Sequence, residues 1–309
     1  PLNIIPDVAA TDGATPAPVD VGSFLADPDG EPLSFTATGL PPGMVIDPAT
    51  GIISGTLPAD ASQAGPYTVT VTATDPGGAS VQTTVPDTVS NLPPLAVDDT
   101  ASVGEDSANV SGNVITGAGA DADTAPDADP LTVAAAVQGA SPVTIGTPFT
   151  TAGGGVLTLN ADGSYSFVPG TAYNGLDAGE TATETITYTI DDGNGGTATA
   201  TLVITIVGAN DTPVVIDPSN PGTPDNPVPA ADPLNIIPDV AATDGATPAA
   251  VDVGSFLADP DGEPLSFTAT GLPPGMVIDP ATGIISGTLP ADASQAGPYT
   301  VTVTATDPD

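Results

Sequence analysis

Apolar side chains recur at every second position over several stretches of the chain. Tyr67, Val69, Val71 and Ala73 alternate with threonines, and Leu33, Phe35 and Ala37 repeat the pattern. So do Ile186, Tyr188 and Ile190, and then Leu202, Ile204 and Ile206. A period of two is that of a half-buried strand. Asp-Gly, Pro-Gly and Gly-Gly turn signals separate the runs at the spacing of a β-sandwich. Thr and Val favour strands, and no long stretch carries a helical stripe. An all-β chain of antiparallel sandwiches is expected.

A long internal repeat organises these strands. Residues 1–76 return at 233–308, and 75 of the 76 positions agree, with Pro18 against Ala250 the exception. The period is too long for a solenoid turn and long enough for two domains. The division expected is a first module at 1–91, a second at 92–214, and a Pro/Asp-rich connector at 215–232. Residues 233–309 then restart the first module. Proline in the connector favours extended, semi-rigid geometry. In the first copy the stretch 78–89 supplies a last strand, which the copy ending at Asp309 lacks. Either the sequence is cut within a domain, or another chain covers an open edge there by donating a strand.

Composition then removes whole classes of chemistry. The 309 residues include 38 acids (33 Asp, 5 Glu) and no Lys, Arg, His or Cys, for a net charge of −38. Side-chain salt bridges are excluded, and so is nucleic acid as a partner, because phosphate recognition needs cations. Serine-histidine and cysteine-histidine nucleophiles, Schiff bases, and thiolate or imidazole metal sites are excluded too. Paired-carboxylate glycosidase chemistry is formally open. Yet there is no Trp, with only 5 Tyr and 6 Phe to stack on sugars, so no enzyme is expected. No apolar run approaches the length of a membrane span. The start at Pro1, without Met or a signal-like segment, reads as part of something longer.

The remaining donors are carboxylate, hydroxyl and carbonyl oxygens, which suit hard cations and Ca²⁺ above all. A single Asp in a turn usually serves local backbone hydrogen bonding. Two loop contexts recur, however. One is Asp27-Pro-Asp29-Gly-Glu31, read as following a strand that ends at Phe24-Leu25; the other is Asp75, after the Tyr67–Ala73 strand. Asp127-Ala-Asp129 and Asp191-Asp192 hold the parallel positions in the second module, and Asp259, Asp261 and Asp307 are the counterparts in the copy. In immunoglobulin-like strand order these are B–C and F–G loops, which share one end of a sandwich. Carboxylates gathered there without a cation would repel one another, and a bound Ca²⁺ would resolve the conflict. Asn91, Asp98 and Asp99 before the second module, and Asn210-Asp211 after it, offer further oxygens. Glu105-Asp106 fits a solvated loop equally well. Asp121, Asp123 and Asp127 alternate suggestively, but Thr132 stands where an EF-hand needs Glu. The Asn109-Val-Ser111 and Asn210-Asp-Thr212 triplets are too common to argue from. Gly193-Asn-Gly195-Gly196 is no phosphate cradle, since neither helix nor Lys follows.

LADPDGEPLSFTATGLPPGMVIDPATGIISGTL, followed by GPYTVTVTATDPGG, resembles the Ig-like and dystroglycan-type cadherin-like repeat of bacterial surface proteins. The match covers 1–91 and 233–309. Residues 95–214 resemble the VCBS and cadherin-like repeats of giant RTX adhesins, through AVDDTASVGED, DADPLTV, VLTLNADGSYSFVP and the run ending GANDTP. The resemblance implies tandem Ig-like/cadherin-like sandwiches chained end to end, with Ca²⁺ at or near the junctions. It also implies secretion and cell-surface attachment. By resemblance Asp27, Asp29 and Asp75 correspond to cadherin-like DxD and AxD ligands, as do Asp127, Asp129, Asp191 and Asp192, and Asn210-Asp211 resembles the junctional Asn-Asp. The glycine-aspartate nonapeptides that name the RTX class are absent. The expected function is a calcium-stabilised spacer whose partners are its neighbouring repeats. A self-assembling filament or surface-layer subunit and a carbohydrate-binding module are the alternatives.

Overall fold

A computed structural model describes residues 8–117, 122–219, 222–223, 226–227, 237 and 239–308. Asp121 and half of the connector (220–221, 224–225 and 228–232) lie outside the described residues. The first sandwich is built from β1 (Val8–Thr11), β2 (Val19–Asp20), β3 (Ser34–Thr38), β4 (Met44–Ile46), β5 (Ile52–Gly55), β6 (Tyr67–Thr74) and β7 (Ser80–Ser90). One sheet has the order β1-β7-β6-β3 and the other β2-β5-β4. Phe35, Val69, Val71 and Ala73 face Val21, Met44 and Ile53 across the core. Those residues on β6 are the ones the alternation points inward.

Two expectations are corrected here. The sandwich is not wholly antiparallel, because β1 lies parallel to β7. The chain thus enters beside the strand by which it leaves. No strand ends at Phe24-Leu25 either: Gly22–Phe24 is a 3₁₀ turn. The Asp20 carboxylate accepts the Ser23 N–H at 3.0 Å and closes that turn. A Cβ on Gly22 would lie 2.1 Å from the Thr50 carbonyl oxygen, so only glycine fits there.

The second sandwich comprises β8 (Asp99–Gly104), β9 (Val110–Asn113), β10 (Thr132–Gln138), β11 (Ser141–Val143), β12 (Phe149–Thr150), β13 (Val156–Leu159), β14 (Ser164–Val168), β15 (Thr181–Asp191) and β16 (Thr197–Val207). Its sheets run β11-β10-β15-β16-β8 and β12-β13-β14-β9, with β8 again parallel to the last strand. The long β15–β16 ladder buries Ile186, Tyr188, Ile190, Leu202, Ile204 and Ile206 completely. Each such side chain contributes about 1.5–3 kcal/mol of hydrophobic free energy. Glu184 shares this inner face, satisfied by the Gly153 N–H at 2.7 Å, the Tyr173 hydroxyl and the Gln138 amide. Burial, then the bond to Glu184, pushes Tyr173 up to about 12.

Beyond it come β17 (Val214–Val215), a small pair β18 (Gly222–Thr223) and β19 (Asn226–Pro227), and the copy's strands. These are β20 (Val251–Asp252), β21 (Leu257–Ala258), β22 (Ser266–Thr270), β23 (Met276–Ile278), β24 (Ile284–Gly287) and β25 (Thr302–Thr306). Near-identical sequence gives a partly different result. β25 is shorter than β6 and pairs only with β22 among the described residues. Residues 240–243 repeat the β1 sequence yet form no strand. The reason is that β1 is held by β7, and no described strand takes that place in the copy. Val214 and Val215 instead pair with Ala258 and Leu257, and Ile216 is buried beside them, with its N–H donated to the Phe256 carbonyl. Among the described residues no helix is long and apolar enough to cross a membrane.

Candidate cation sites at the sandwich ends

Strand register puts the paired loops together. Ser34 is opposite Thr74, so the Asp27–Glu31 turn and Asp75 occupy one end of the first sandwich. Thr132 is opposite Asp191, which does the same for Asp127, Asp129, Asp191 and Asp192. In the first copy these carboxylates serve the local turns. Asp27 Oδ1 accepts the Asp29 N–H at 2.7 Å, and Asp75 Oδ1 accepts the Ala79 N–H at 2.9 Å. Asp29 is exposed.

At the entrance to the second sandwich the loops close on the incoming chain. Asp192 is buried: its Oδ1 accepts the Asn194 and Gly196 N–H groups, and its Oδ2 accepts Asn91 Nδ2 at 2.7 Å. Burial pushes its pKa up, but the Asn194, Asn91 and Gly196 bonds outweigh this and hold it below the ordinary value. A Cβ on Gly196 would lie 2.1 Å from Asp192 Oδ2 and 2.9 Å from Asn91 Nδ2, so glycine makes the contact possible. Asp129 Oδ2 accepts the Asn194 amide, and Asp191 Oδ1 accepts the Gly193 N–H. Asp127 is 5% exposed, and neither of its buried oxygens has a hydrogen-bond partner; nor does Asn91 Oδ1.

The joint between the second sandwich and the copy is more heavily charged. Asp259 has the same sequence context as Asp27, yet Asp27 is half-buried and Asp259 only 3% exposed. Val214 pairs with the adjacent Ala258, and the charge of Asp177 from the second sandwich reaches Asp259. Asp259 Oδ1 accepts the Asp261 N–H at 3.0 Å, while its Oδ2 is buried without a partner. Asp261 Oδ2 accepts the Asp211 N–H at 2.7 Å, and its Oδ1 is buried and unpartnered. Burial first, and then the charges of Asp261, Asp307 and Asp177, push Asp259 upward. Burial also raises Asp211, with Asp106, Asp261 and Asp259 adding to it. Asp261 rises for the same first reason, with Asp177, Asp106 and Asp307 behind it. Asn210 is exposed.

Sequence reasoning underrated one residue here and missed another. Glu105 is not a solvated loop acid: it is 3% exposed, its Oε1 accepts the Ala209 N–H at 2.6 Å, and its Oε2 is buried and unpartnered. Its position directly after β8 was the available signal. Asp177 comes to the joint because Gly208 lets the Leu176–Asp177 backbone approach; a Cβ there would lie 2.3 Å from the Asp177 carbonyl oxygen. Two expected ligands are turned elsewhere. Asp98 accepts the Thr201 N–H and hydroxyl on the side of the sheet, and Asp99 is buried, its Oδ2 accepting the Tyr188 hydroxyl at 2.8 Å. Asp98, just before β8, is thus held by β16, and Asp99, the first residue of β8, is held by Tyr188 in the core.

Among the described residues no three acidic groups already converge on a point that would hold an ion. The donor set still suits a hard divalent cation. Glu105, Asp259 and Asp261 present buried, unshared oxygens, and no positive side chain exists to meet them.

Residues 2–90 and 228–309 match the family described as Putative Ig domain, and residues 91–208 match the Bacterial cadherin-like domain. The first of these matches spans more than half of the chain, which belongs to that Ig-domain family; its residues 91–208 are similar to the bacterial cadherin-like domain. No curated protein matches it. Similar solved structures include mouse Cadherin-23 EC22-24, at 17% identity over 99% of this chain and 91% of that one, TM-score 0.37. Drosophila N-cadherin EC1-3 is 14% identical over 98% and 92%, TM-score 0.36. An endo-fucoidan hydrolase of glycoside hydrolase family 107 is 22% identical over 99% and 41%, TM-score 0.27.

Proposed function

We propose that these cadherin-like and Ig-like repeats form a calcium-stabilised, non-catalytic spacer in a large bacterial surface adhesin, outside the cell, that projects a distal binding domain. One observation carries the reading. The same Asp-Pro-Asp loop serves its own turn in the first copy, whereas where a sandwich precedes it Asp259 is buried within reach of the Asp177, Asp211 and Asp261 charges with an oxygen left over. Two like charges about 4 Å apart repel by about 4 kcal/mol at the effective dielectric of a protein surface. A Ca²⁺ ion takes 6–8 oxygens and turns that repulsion into cross-linking. Glu105, Asp106, Asp177, Asp211, Asp259, Asp261 and Asp307 would supply carboxylates at this joint. At the preceding one, Asp127, Asp129, Asp191 and Asp192 would supply carboxylates and Asn91 an amide oxygen. Metal then provides the staple that a chain without disulfides or ion pairs lacks.

Calorimetric titration of the chain with Ca²⁺, paired with thermal unfolding in Ca²⁺ and in chelator, tests this. Saturable uptake and a rise in Tm of ten degrees or more are expected. Absence of uptake would overturn the reading.

A further inference from the structure

The two joints differ in what the preceding sandwich offers. Glu105 and Asp12 occupy equivalent places, each directly after a first strand that lies parallel to the last. Glu105 donates its N–H to the Val207 carbonyl at 3.0 Å, and Asp12 donates its own to the Ser90 carbonyl at 3.0 Å. Their carboxylates behave differently. Asp12 spends both oxygens inside its own sandwich: Oδ1 accepts the Ser62 N–H at 2.7 Å and Oδ2 the Ser62 hydroxyl at 2.6 Å. Glu105, one methylene longer, keeps Oε2 buried and unshared at the joint.

The closed arrangement belongs to the repeated module itself. In the copy, Asp244 Oδ1 accepts the Ser294 N–H at 2.6 Å and Oδ2 accepts the Ser294 hydroxyl at 2.7 Å. At the entrance to the second sandwich, Asp192 is bonded by its own loop and by Asn91, and the unshared oxygens belong to Asp127 and Asn91. An ion there would be gripped by the second sandwich and the chain entering it. At the next joint, Glu105 and Asp177 come from the second sandwich, and Asp259, Asp261 and Asp307 from the copy.

We propose, resting on the calcium reading above, that Ca²⁺ locks the joint between the second sandwich and the copy but leaves the joint between the first and second sandwiches a hinge. Glu105 is then the bridging ligand, and the Asp12–Ser62 closure is what denies the other joint its equivalent. The arm alternates stiff and bending joints.

The chain has no cysteine, so nitroxide pairs can be placed cleanly. Val45 and Val277 are the same position in the two copies, each 62% exposed, and Thr147 on the second sandwich is exposed. Pulsed-EPR distance distributions would be recorded on the full chain for Val45→Cys with Thr147→Cys, and for Thr147→Cys with Val277→Cys, in Ca²⁺ and in chelator. Calcium is expected to narrow the 147/277 distribution at least twofold and to leave the 45/147 width nearly unchanged. Glu105→Gln should keep 147/277 broad in Ca²⁺. Equal narrowing at both joints, or no narrowing of 147/277 while calorimetry on the same samples records uptake, would overturn the inference and leave the calcium reading standing. No uptake at all would remove both.

Discussion

The Asp211 N–H points at Asp261 Oδ2 across 2.7 Å, joining the end of one sandwich to the entrance loop of the next. The other Asp261 oxygen is buried and unshared, and burial with neighbouring carboxylates raises its pKa. Asp261→Asn therefore removes a repelling charge when no metal is present and removes a ligand when it is. In chelator the substitution should stabilise by about 1 kcal/mol; in millimolar Ca²⁺ it should lower the Tm below that of the unsubstituted chain. Asp29→Asn, at the exposed equivalent in the first copy, is the internal control and should change neither by much. Scanning calorimetry under both conditions reads the inversion.

Tyr188 offers one hydroxyl proton to four acceptors. Asp99 Oδ2 lies at 2.8 Å, the Val97 carbonyl at 3.0 Å, and the Val114 carbonyl and Asp123 Oδ2 at 3.4 Å. Burial, then Asp99 and Asp123, pushes the hydroxyl well above its ordinary value, so it remains protonated and donating. Tyr188→Phe leaves the ring packing intact and removes this donor. A loss of about 1–3 kcal/mol is expected, read by urea denaturation followed through the second sandwich.

Asp87 lies inside the first sandwich with Oδ1 buried and unpartnered, and burial raises its pKa. A carboxyl whose folded value is raised contributes stability that is fully present below its ordinary 3.8 and lost as pH rises through the raised value. At neutral pH the group is thus a liability. Asp87→Asn should stabilise by about 1 kcal/mol at pH 7, and the gain should disappear as pH falls below the ordinary carboxylate range. Denaturation curves at a series of pH values measure this directly.

With 38 acids and no side-chain cation, the compact state works against its own field. Raising NaCl in chelator from about 0.01 M to about 1 M shortens the Debye length from about 30 to about 3 Å. The Tm should rise steadily over that range. Millimolar Ca²⁺ should achieve more than molar NaCl, because screening cannot supply shared coordination.

The sequence showed the long strands clearly because a side chain on β6, β15 or β16 alternates faces strictly, and every second one enters a core. The two-residue strands β2 and β20 were illegible, since distant partners rather than local preference hold them. The parallel placement of β1 and β8 likewise depends on strands about 80 and 100 residues onward. For the candidate sites, the Asp27/Asp75 and Asp127/Asp191 pairings followed from loop order alone. Glu105 did not, because the backbone that buries it, at Ala209, is far along the chain. Asp98 and Asp99 looked like linker ligands by position, but Thr201 and Tyr188 claim them for the second sandwich.

The β17–β21 pairing fastens the copy upstream of the Pro-rich stretch, through two residues on each side and the Ile216 N–H. Under tension this clasp would shear before either sandwich is disturbed. A joint closed by so few bonds is where a pulling force would first be felt.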